Sequence, residues 1–359
     1  QGDFVDSVPS GIKVVTLETA PVWMGRLLAF RAAPGHLMHL ALPVLLPLKS
    51  QVTLRCLPAL VRYLREERPA VLFSADTYLN LVALWARRLA GVSVRTLISE
   101  RIHLSSHLRY GAKRRKWRWR FIVPLIRRMY LQADRVVAVS RGVADDLRTL
   151  VGLPSELVTT VYNPVVDSEL AKKAEAPIDH EWFVPGAPPV IIAVGRLTEQ
   201  KDFPTLLQAF AQVRAQRHAR LLLLGEGRMR RKLTALGHAL GIAEDMSLHG
   251  FMSNPFAYMA RAAVFVLSSA YEGLPGVLIQ ALACGCPVVS TNCPGGAAEI
   301  LEDGRYGRLV PVGDPAAMAQ AIILTLDAPS DRGLLQKRAS LFSVDRAVEQ
   351  YLDVLFALR

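Results

Sequence analysis

The sequence predicts an α/β protein with two parallel-sheet domains, and three observations carry that expectation. Short apolar runs such as Val190–Val194 and Val264–Leu267 alternate with stretches of helical periodicity, the pattern of buried parallel strands joined by crossover helices. The 359 residues exceed what one hydrophobic core usually fills. Near the middle the alternation gives way to a polar stretch rich in proline, with Pro177, Pro185, Pro188 and Pro189. The expected layout is an N-terminal domain over 1–165, a linker over 166–189, a C-terminal domain over 190–342, and a closing helix over 343–359 that packs back toward the first domain.

The elements follow in order. Ile12–Leu17 reads as a short strand. Leu54–Arg65 is amphipathic, with Leu57, Leu60, Val61 and Leu64 on one helical face. Pro69 precedes the strand Ala70–Ser74, Leu79–Leu89 is a helix stopped at Gly91, and Ser93–Ile98 is a strand. A helix ends near Gln132, and Arg135–Val139 is a strand. Ser140 then caps a helix with Asp145 and Asp146 in its early turns, and Thr160–Tyr162 is a strand. The second domain reads as strands Val190–Val194, Arg220–Leu224, Ser247–His249, Val264–Leu267, Pro287–Ser290 and Leu309–Pro311. Its helices are Pro204–Arg217, Arg230–Leu240, Val277–Ala283, one ending near Glu302, Pro315–Leu326 and Val344–Leu358.

Composition narrows the function classes. With 51% apolar and 21% charged residues the chain is globular rather than disordered. No apolar run reaches the roughly 18 residues of a membrane span, and the longest, Leu40–Leu48, contains Pro43 and Pro47. Cys56, Cys284, Cys286 and Cys293 match neither a disulfide framework nor zinc spacing, so they read as core residues of a reduced, cytoplasmic protein. The net charge of +12 is carried by the first half, where Arg101–Ala133 contains ten basic residues and no acid.

In open α/β sheets a ligand lies beyond the carboxyl ends of the strands, against helix N-termini. Gly195, Arg196 and Lys201 follow the first strand of the second domain, and two cations there suit a pyrophosphate, bound or leaving. The alternative is a pair of solvated loop cations. Glu272 follows a strand and precedes Gly273-Leu274-Pro275-Gly276, where a carboxylate either accepts sugar hydroxyls or caps the next helix. The amides of Gly276, Val277 and Leu278 open that helix. No Gly-x-Gly-x-x-Gly follows a strand, which excludes the nicotinamide and flavin fingerprint.

Taken together, Gly195-Arg196 with Lys201, then Gly225-Glu226-Gly227, Gly250-Phe251, Glu272-Gly273-Leu274-Pro275 and Ala283-Cys284-Gly285-Cys286-Pro287-Val288-Val289-Ser290 resemble glycosyltransferase family 4. The resemblance runs through the second domain; Thr77-Tyr78-Leu79-Asn80 and Ser99-Glu100-Arg101 extend it more loosely to bacterial members that build surface polysaccharides and lipid-linked glycans. It implies the GT-B fold, two Rossmann-like domains facing across a cleft, and a retaining transfer from a nucleotide-sugar, by family habit a UDP-sugar. Arg196 and Lys201 would hold the diphosphate. Phe251 and Met252 would pass the base, Gly225 and Glu226 would line the donor site, and Glu272 would face the sugar. No metal or other cofactor is implied, and no Asp-x-Asp dyad occurs.

Two departures from the family pattern stand out. Where the family places a second glutamate for the ribose hydroxyls, eight positions after the first, this chain has Gln280, which the helical repeat of about 3.6 residues keeps near the same face. An amide both donates to and accepts from a diol, so weaker ribose binding is expected. No strand, glycine-rich turn and helix precede Ile12, so the N-terminal domain is expected to lack its first such unit.

On the acceptor side Glu100, Arg101 and His103 follow a strand and are candidates for an acceptor hydroxyl or phosphate, although a lone histidine such as His103 is more often structural or solvated. Lys113, Arg114, Arg115, Lys116, Trp117, Arg118, Trp119 and Arg120 form a basic, aromatic segment. It suits an anionic membrane surface better than nucleic acid, a solvated face being the alternative. The expected protein is a monomer or weak dimer, peripheral on the inner face of the cytoplasmic membrane, acting on a lipid-linked or polysaccharide acceptor. A non-catalytic nucleotide-sugar or membrane-binding module and a nucleotide-sugar epimerase are the rival readings.

Overall fold

The computed structural model describes residues 8–34, 52–110 and 116–357, with the side chains of 116–120 outside that description. The chain packs as two compact units, Gln1–Thr96 with Arg118–Ala133, and Leu97–Trp117 with Asp134–Arg359.

The first unit is mostly helical. Its elements are α1 (Val22–Ala32), α2 (Val52–Arg55), α3 (Leu57–Glu67), strand β1 (Val71–Ala75), α4 (Thr77–Ala90) and the greater part of α6 (Lys116–Tyr130). Asp76 caps α4 by accepting the Tyr78 N–H at 3.1 Å. Asn80, fully buried in α4, donates to the Tyr130 hydroxyl at 3.1 Å and accepts from Ser74 at 2.8 Å, which fixes α4 against β1 and α6.

The second unit holds two sets of parallel strands. β2 (Arg95–Glu100) enters it at Leu97 and pairs with β3 (Arg135–Ala138), which pairs with β4 (Val158–Thr160). Between β2 and β3 lies α5 (Leu104–Tyr110); after β3, α7 (Arg141–Asp146) runs on into a wider π turn at Leu147–Val151. After β4 come α8 (Ser168–Glu175) and six parallel strands, β5 (Val190–Val194), β6 (Arg220–Leu224), β7 (Met246–Gly250), β8 (Val264–Leu267), β9 (Val288–Thr291) and β10 (Arg308–Val310). Helices α9 (Phe203–Arg214), α10 (Arg230–Ala239), α11 (Phe256–Arg261), α12 (Gly276–Ala283), α13 (Ala297–Leu301) and α14 (Pro315–Asp327) follow β5 to β10 in turn. The strand order is β7-β6-β5-β8-β9-β10, the doubly wound arrangement. Ile191, Leu206, Phe210, Leu221, Val264 and Ile322 meet in its core. α15 (Arg332–Ala339) and α16 (Val344–Phe356) close the unit, and the Val344 N–H bonds the Val166 carbonyl at 2.9 Å.

Several elements differ from the sequence expectation. Ile12–Leu17 is not a strand: no strand pairs with it among the described residues, and Ile12, Val14 and Val15 are exposed. The stretch expected as linker holds α8, capped by Asp167, whose carboxylate accepts the Leu170 N–H at 2.8 Å. α1 escapes a periodicity reading because its buried face consists of Gly25, Ala29 and Ala32 while Trp23, Leu27 and Phe30 are exposed, the reverse of the usual stripe. α5, α11 and α15 were too short or too polar to register. Leu40–Leu48 lies outside the described residues.

The cysteines behave as core. Cys284, Cys286 and Cys293 are buried, and burial pushes the Cys284 and Cys293 thiols up to about 12, with Cys286 raised as well. Cys56 is half-buried. The thiolate is the reactive form, so iodoacetamide should label Cys56 alone in the native protein and all four after unfolding in urea, read by peptide mass spectrometry.

Candidate donor site

The doubly wound sheet reverses direction between β5 and β8, and loops leaving neighbouring strands there diverge to open a crevice. β5 delivers Gly195, Arg196 and Lys201 to that point, and β8 delivers Ser268 to Glu272. Residues separated by about seventy positions in the chain therefore meet because the sheet turns between them.

Lys201 and Glu272 form an ion pair at 2.6 Å, with side-chain exposures of only 15% and 10%. Their surroundings hold them in place. The Ser269 hydroxyl donates to the same Glu272 oxygen at 2.7 Å, and the Ser268 hydroxyl donates to the Lys201 carbonyl at 2.7 Å. Gln200 joins the loops twice, accepting the Ala270 N–H at 2.8 Å and donating its amide to the Tyr271 carbonyl at 3.0 Å. Arg196 is exposed and makes no side-chain hydrogen bond or ion pair among the described residues. Tyr271 reports the local field: burial raises its phenol, the Glu272 charge raises it further, and Arg196 opposes.

The ends of β6 and β7 extend the site. A Cβ on Gly225 would lie 2.0 Å from the Gly195 carbonyl oxygen, so only glycine lets these two strand ends touch. Glu226 pairs with Arg230 at 2.9 Å. Phe251 stands 81% exposed just beyond β7, and Met252 beside it is half-buried. Leu274 is buried, and Pro275 precedes α12 without any capping side chain, so the amides of Gly276 and Val277 keep their anion-binding capacity. Gln280 is half-buried on α12, and its side chain makes no hydrogen bond among the described residues.

Residues from β2 to α7 pack on this wall within the same unit. A Cβ on Gly273 would lie 2.0 Å from the Arg101 carbonyl oxygen, and the Ser140 hydroxyl donates to the Gly273 carbonyl at 2.9 Å. Glu100 is wholly buried and accepts the Arg101 N–H at 3.1 Å, while the Arg101 side chain is exposed. His103 lies beside Asp146, with Nδ1 3.7 Å from the carboxylate, and burial lowers its pKa. Lys113, Arg114 and Arg115 lie outside the described residues, and Lys116 to Arg120 open α6 with side chains outside them.

Sequence reasoning missed the supports of the site. Ser269 and Gln200 fix the ion pair. His107 Nδ1 lies 3.1 Å from the Tyr271 hydroxyl, and the Tyr110 ring stacks on Tyr271 at 5.7 Å. Glu299 accepts the Arg141 N–H at 2.8 Å and the Tyr162 hydroxyl at 2.5 Å. The Gly295-Gly296 pair ahead of Glu299 was the readable signal, since adjacent glycines after a strand mark close backbone approach. Among the described residues no group of three or more His, Cys, Asp or Glu is gathered as a metal cluster.

Two family models match in tandem. Residues 12–169 match the model described as Glycosyltransferase Family 4, and residues 188–328 match Glycosyl transferases group 1. The chain belongs to glycosyltransferase family 4. This family 4 chain is 32% identical over 216 residues to the N-acetylgalactosamine-N,N'-diacetylbacillosaminyl-diphospho-undecaprenol 4-alpha-N-acetylgalactosaminyltransferase of Campylobacter jejuni, a match covering 60% of this chain and 57% of that protein. It is 29% identical over 237 residues to the N-acetyl-alpha-D-glucosaminyl L-malate synthase of Bacillus anthracis, covering 65% and 62%. The matches thus span about three fifths of those relatives' lengths. Among solved structures, Anabaena HepE in complex with UDP and glucose superposes with a TM-score of 0.70 at 20% identity, covering 93% of this chain and 96% of that one. The fold class is GT-B.

The ion pair and the free arginine differ in what their removal should do. Lys201→Met strands a buried carboxylate and should cost about 3–5 kcal/mol of stability, whereas Arg196→Ala should stay within about 0.5 kcal/mol of the parent. Urea denaturation of both variants checks this.

Proposed function

We propose that the chain transfers a sugar, with retention of anomeric configuration, from a UDP-sugar to a lipid-linked or polysaccharide acceptor in cell-envelope glycan synthesis. The observation that carries this reading is the unpaired Arg196 beside the Lys201–Glu272 pair, at a sheet reversal flanked by the uncapped N-terminus of α12. In this reading a diphosphate lies between Arg196, Lys201 and the α12 amides. The Lys201 ammonium carries three N–H donors, so it bonds a phosphate oxygen without releasing Glu272. Glu272 keeps a second oxygen for a sugar hydroxyl, and Phe251 with Met252 borders the base.

Chemically, an acceptor oxygen forms a bond to the anomeric carbon as the bond from that carbon to the phosphate oxygen breaks. The acceptor's proton passes to the departing phosphate on the same face, and UDP leaves. Charge on the leaving group is met by Arg196, Lys201 and the helix N-terminus, fixed before the reaction; the reading assigns that work to them rather than to a metal ion. Its support from outside the chain is the UDP of the HepE complex and the undecaprenol-linked substrate in the Campylobacter enzyme's name. Peripheral attachment to an anionic membrane through Lys113 to Arg120 belongs to the same reading. No helix among the described residues is long and apolar enough to cross a membrane.

UDP release from a panel of UDP-sugars tests the reading, with slow hydrolysis by the parent expected even without acceptor. Arg196→Ala should lower kcat/KM about a hundredfold or more with little loss of melting temperature. Gln280→Glu, which replaces an amide with a charge-assisted acceptor for the ribose diol, should tighten UDP about tenfold by calorimetry. UDP binding with no turnover of any sugar would leave only a nucleotide-binding module.

A further inference from the structure

Beside the donor wall, and outside it, the second unit contains an open cavity of about 500 Å³, a size ordinary for small-molecule sites. Three segments line it: His103 from the turn after β2, Asp145, Asp146 and Thr149 from α7 and the turn after it, and Asn292 and Pro294 from the loop after β9. The Pro294 carbonyl accepts the Glu272 N–H at 3.0 Å, so the cavity's wall and the proposed sugar end of the donor site share one backbone contact.

We propose that this cavity is an acceptor subsite for the hydroxyl face of a neutral or amino sugar, and that it rejects phosphorylated or acidic sugars. The inference deepens the glycosyl-transfer reading and rests on it.

Among the described residues the lining contains two carboxylates and no lysine or arginine. Asp146 is nearly fully buried, and it accepts the Ser105 N–H at 3.1 Å as well as the Ser105 hydroxyl, so it stays in place. Asp145 sits at the rim with its side chain 69% exposed, paired to Arg148 at 3.0 Å. That guanidinium is committed elsewhere too, donating to the Val158 carbonyl at 3.3 Å. A phosphate entering here would meet the Asp145 and Asp146 carboxylates and, among the described lining residues, no cation. Hydroxyls and ammonium groups meet acceptors instead.

His103 supplies the directional contact. Its Nδ1 lies 3.0 Å from the Ser106 hydroxyl and faces Asp146, which favours the proton on Nδ1. Burial lowers the ring's pKa, and the Asp146 charge opposes. With that tautomer Nε2 is an acceptor with no partner among the described residues, on a residue that lines the cavity. A sugar hydroxyl donating to Nε2 and accepting from the exposed Asn292 amide satisfies both groups.

The test uses the whole chain and saturation-transfer NMR with methyl glucoside, glucosamine and the phosphate ester of glucose, each with and without UDP. The neutral and amino sugars should give signal, and the phosphate ester should bind at least about tenfold more weakly. Thr149→Trp, at an exposed position, should fill the cavity and abolish the sugar signal while calorimetric UDP affinity holds. Asp145→Lys should narrow the gap between neutral and phosphorylated sugars. Equal or tighter binding of the phosphate ester, sugar signal that survives Thr149→Trp, or no sugar signal from a chain that binds UDP would overturn the subsite. Sugar signal from a chain that never binds UDP would support the subsite and sink the donor reading.

Discussion

The proposed donor wall depends on the Lys201–Glu272 ion pair. Two ionised groups this far out of water are costly, and mutual attraction offsets that cost only when geometry is good and the remaining lone pairs are filled. Ser269 fills one of them, and Gln200 fixes both loops so that the pair needs no reorganisation. The arrangement is affordable because the sheet reverses between β5 and β8, the one place where two adjacent strands send their loops to opposite sides. Arg196, two residues beyond β5, makes no side-chain hydrogen bond or ion pair among the described residues, while Glu272 is held by Lys201.

Close backbone contact carries this order outward. Gly273 sits under the Arg101 carbonyl and Ser140 bonds the Gly273 carbonyl, so residues from β2 and the start of α7 stand on the donor wall as part of one compact unit. Glu299 adds a clasp, accepting from the Arg141 amide and the Tyr162 hydroxyl. Burial and the Glu299 contact push the Tyr162 phenol up to about 12, so it remains a donor throughout the physiological range. The open cavity of His103 and Asp146 lies next to these contacts, with Gly142 and Gly295 in its lining.

The C-terminal sheet was legible because β5, β6 and β8 are largely buried and read as continuous apolar runs that frame the rest; all six strands fall within a residue or two of expectation. The order of the strands was not readable from periodicity, and the pairing of Lys201 with Glu272 is a consequence of that order. Gln280 and Arg196 were visible as residues, but only the fold shows one half-buried and the other unpaired. Helix α1 was hidden by its inverted stripe, and Ile12–Leu17 was misread because short apolar runs carry no information about whether a strand partner exists. Ser105 and Asp146, 41 positions apart, carried no spacing signal at all.

A structure of the chain with UDP tests the central claim most directly. The account predicts diphosphate oxygens within hydrogen-bonding distance of the Arg196 guanidinium and the Lys201 ammonium, with the α12 amides beside them and the base against Phe251 and Met252. UDP bound away from the β5–β8 reversal, or a diphosphate that leaves Arg196 unengaged, would contradict it.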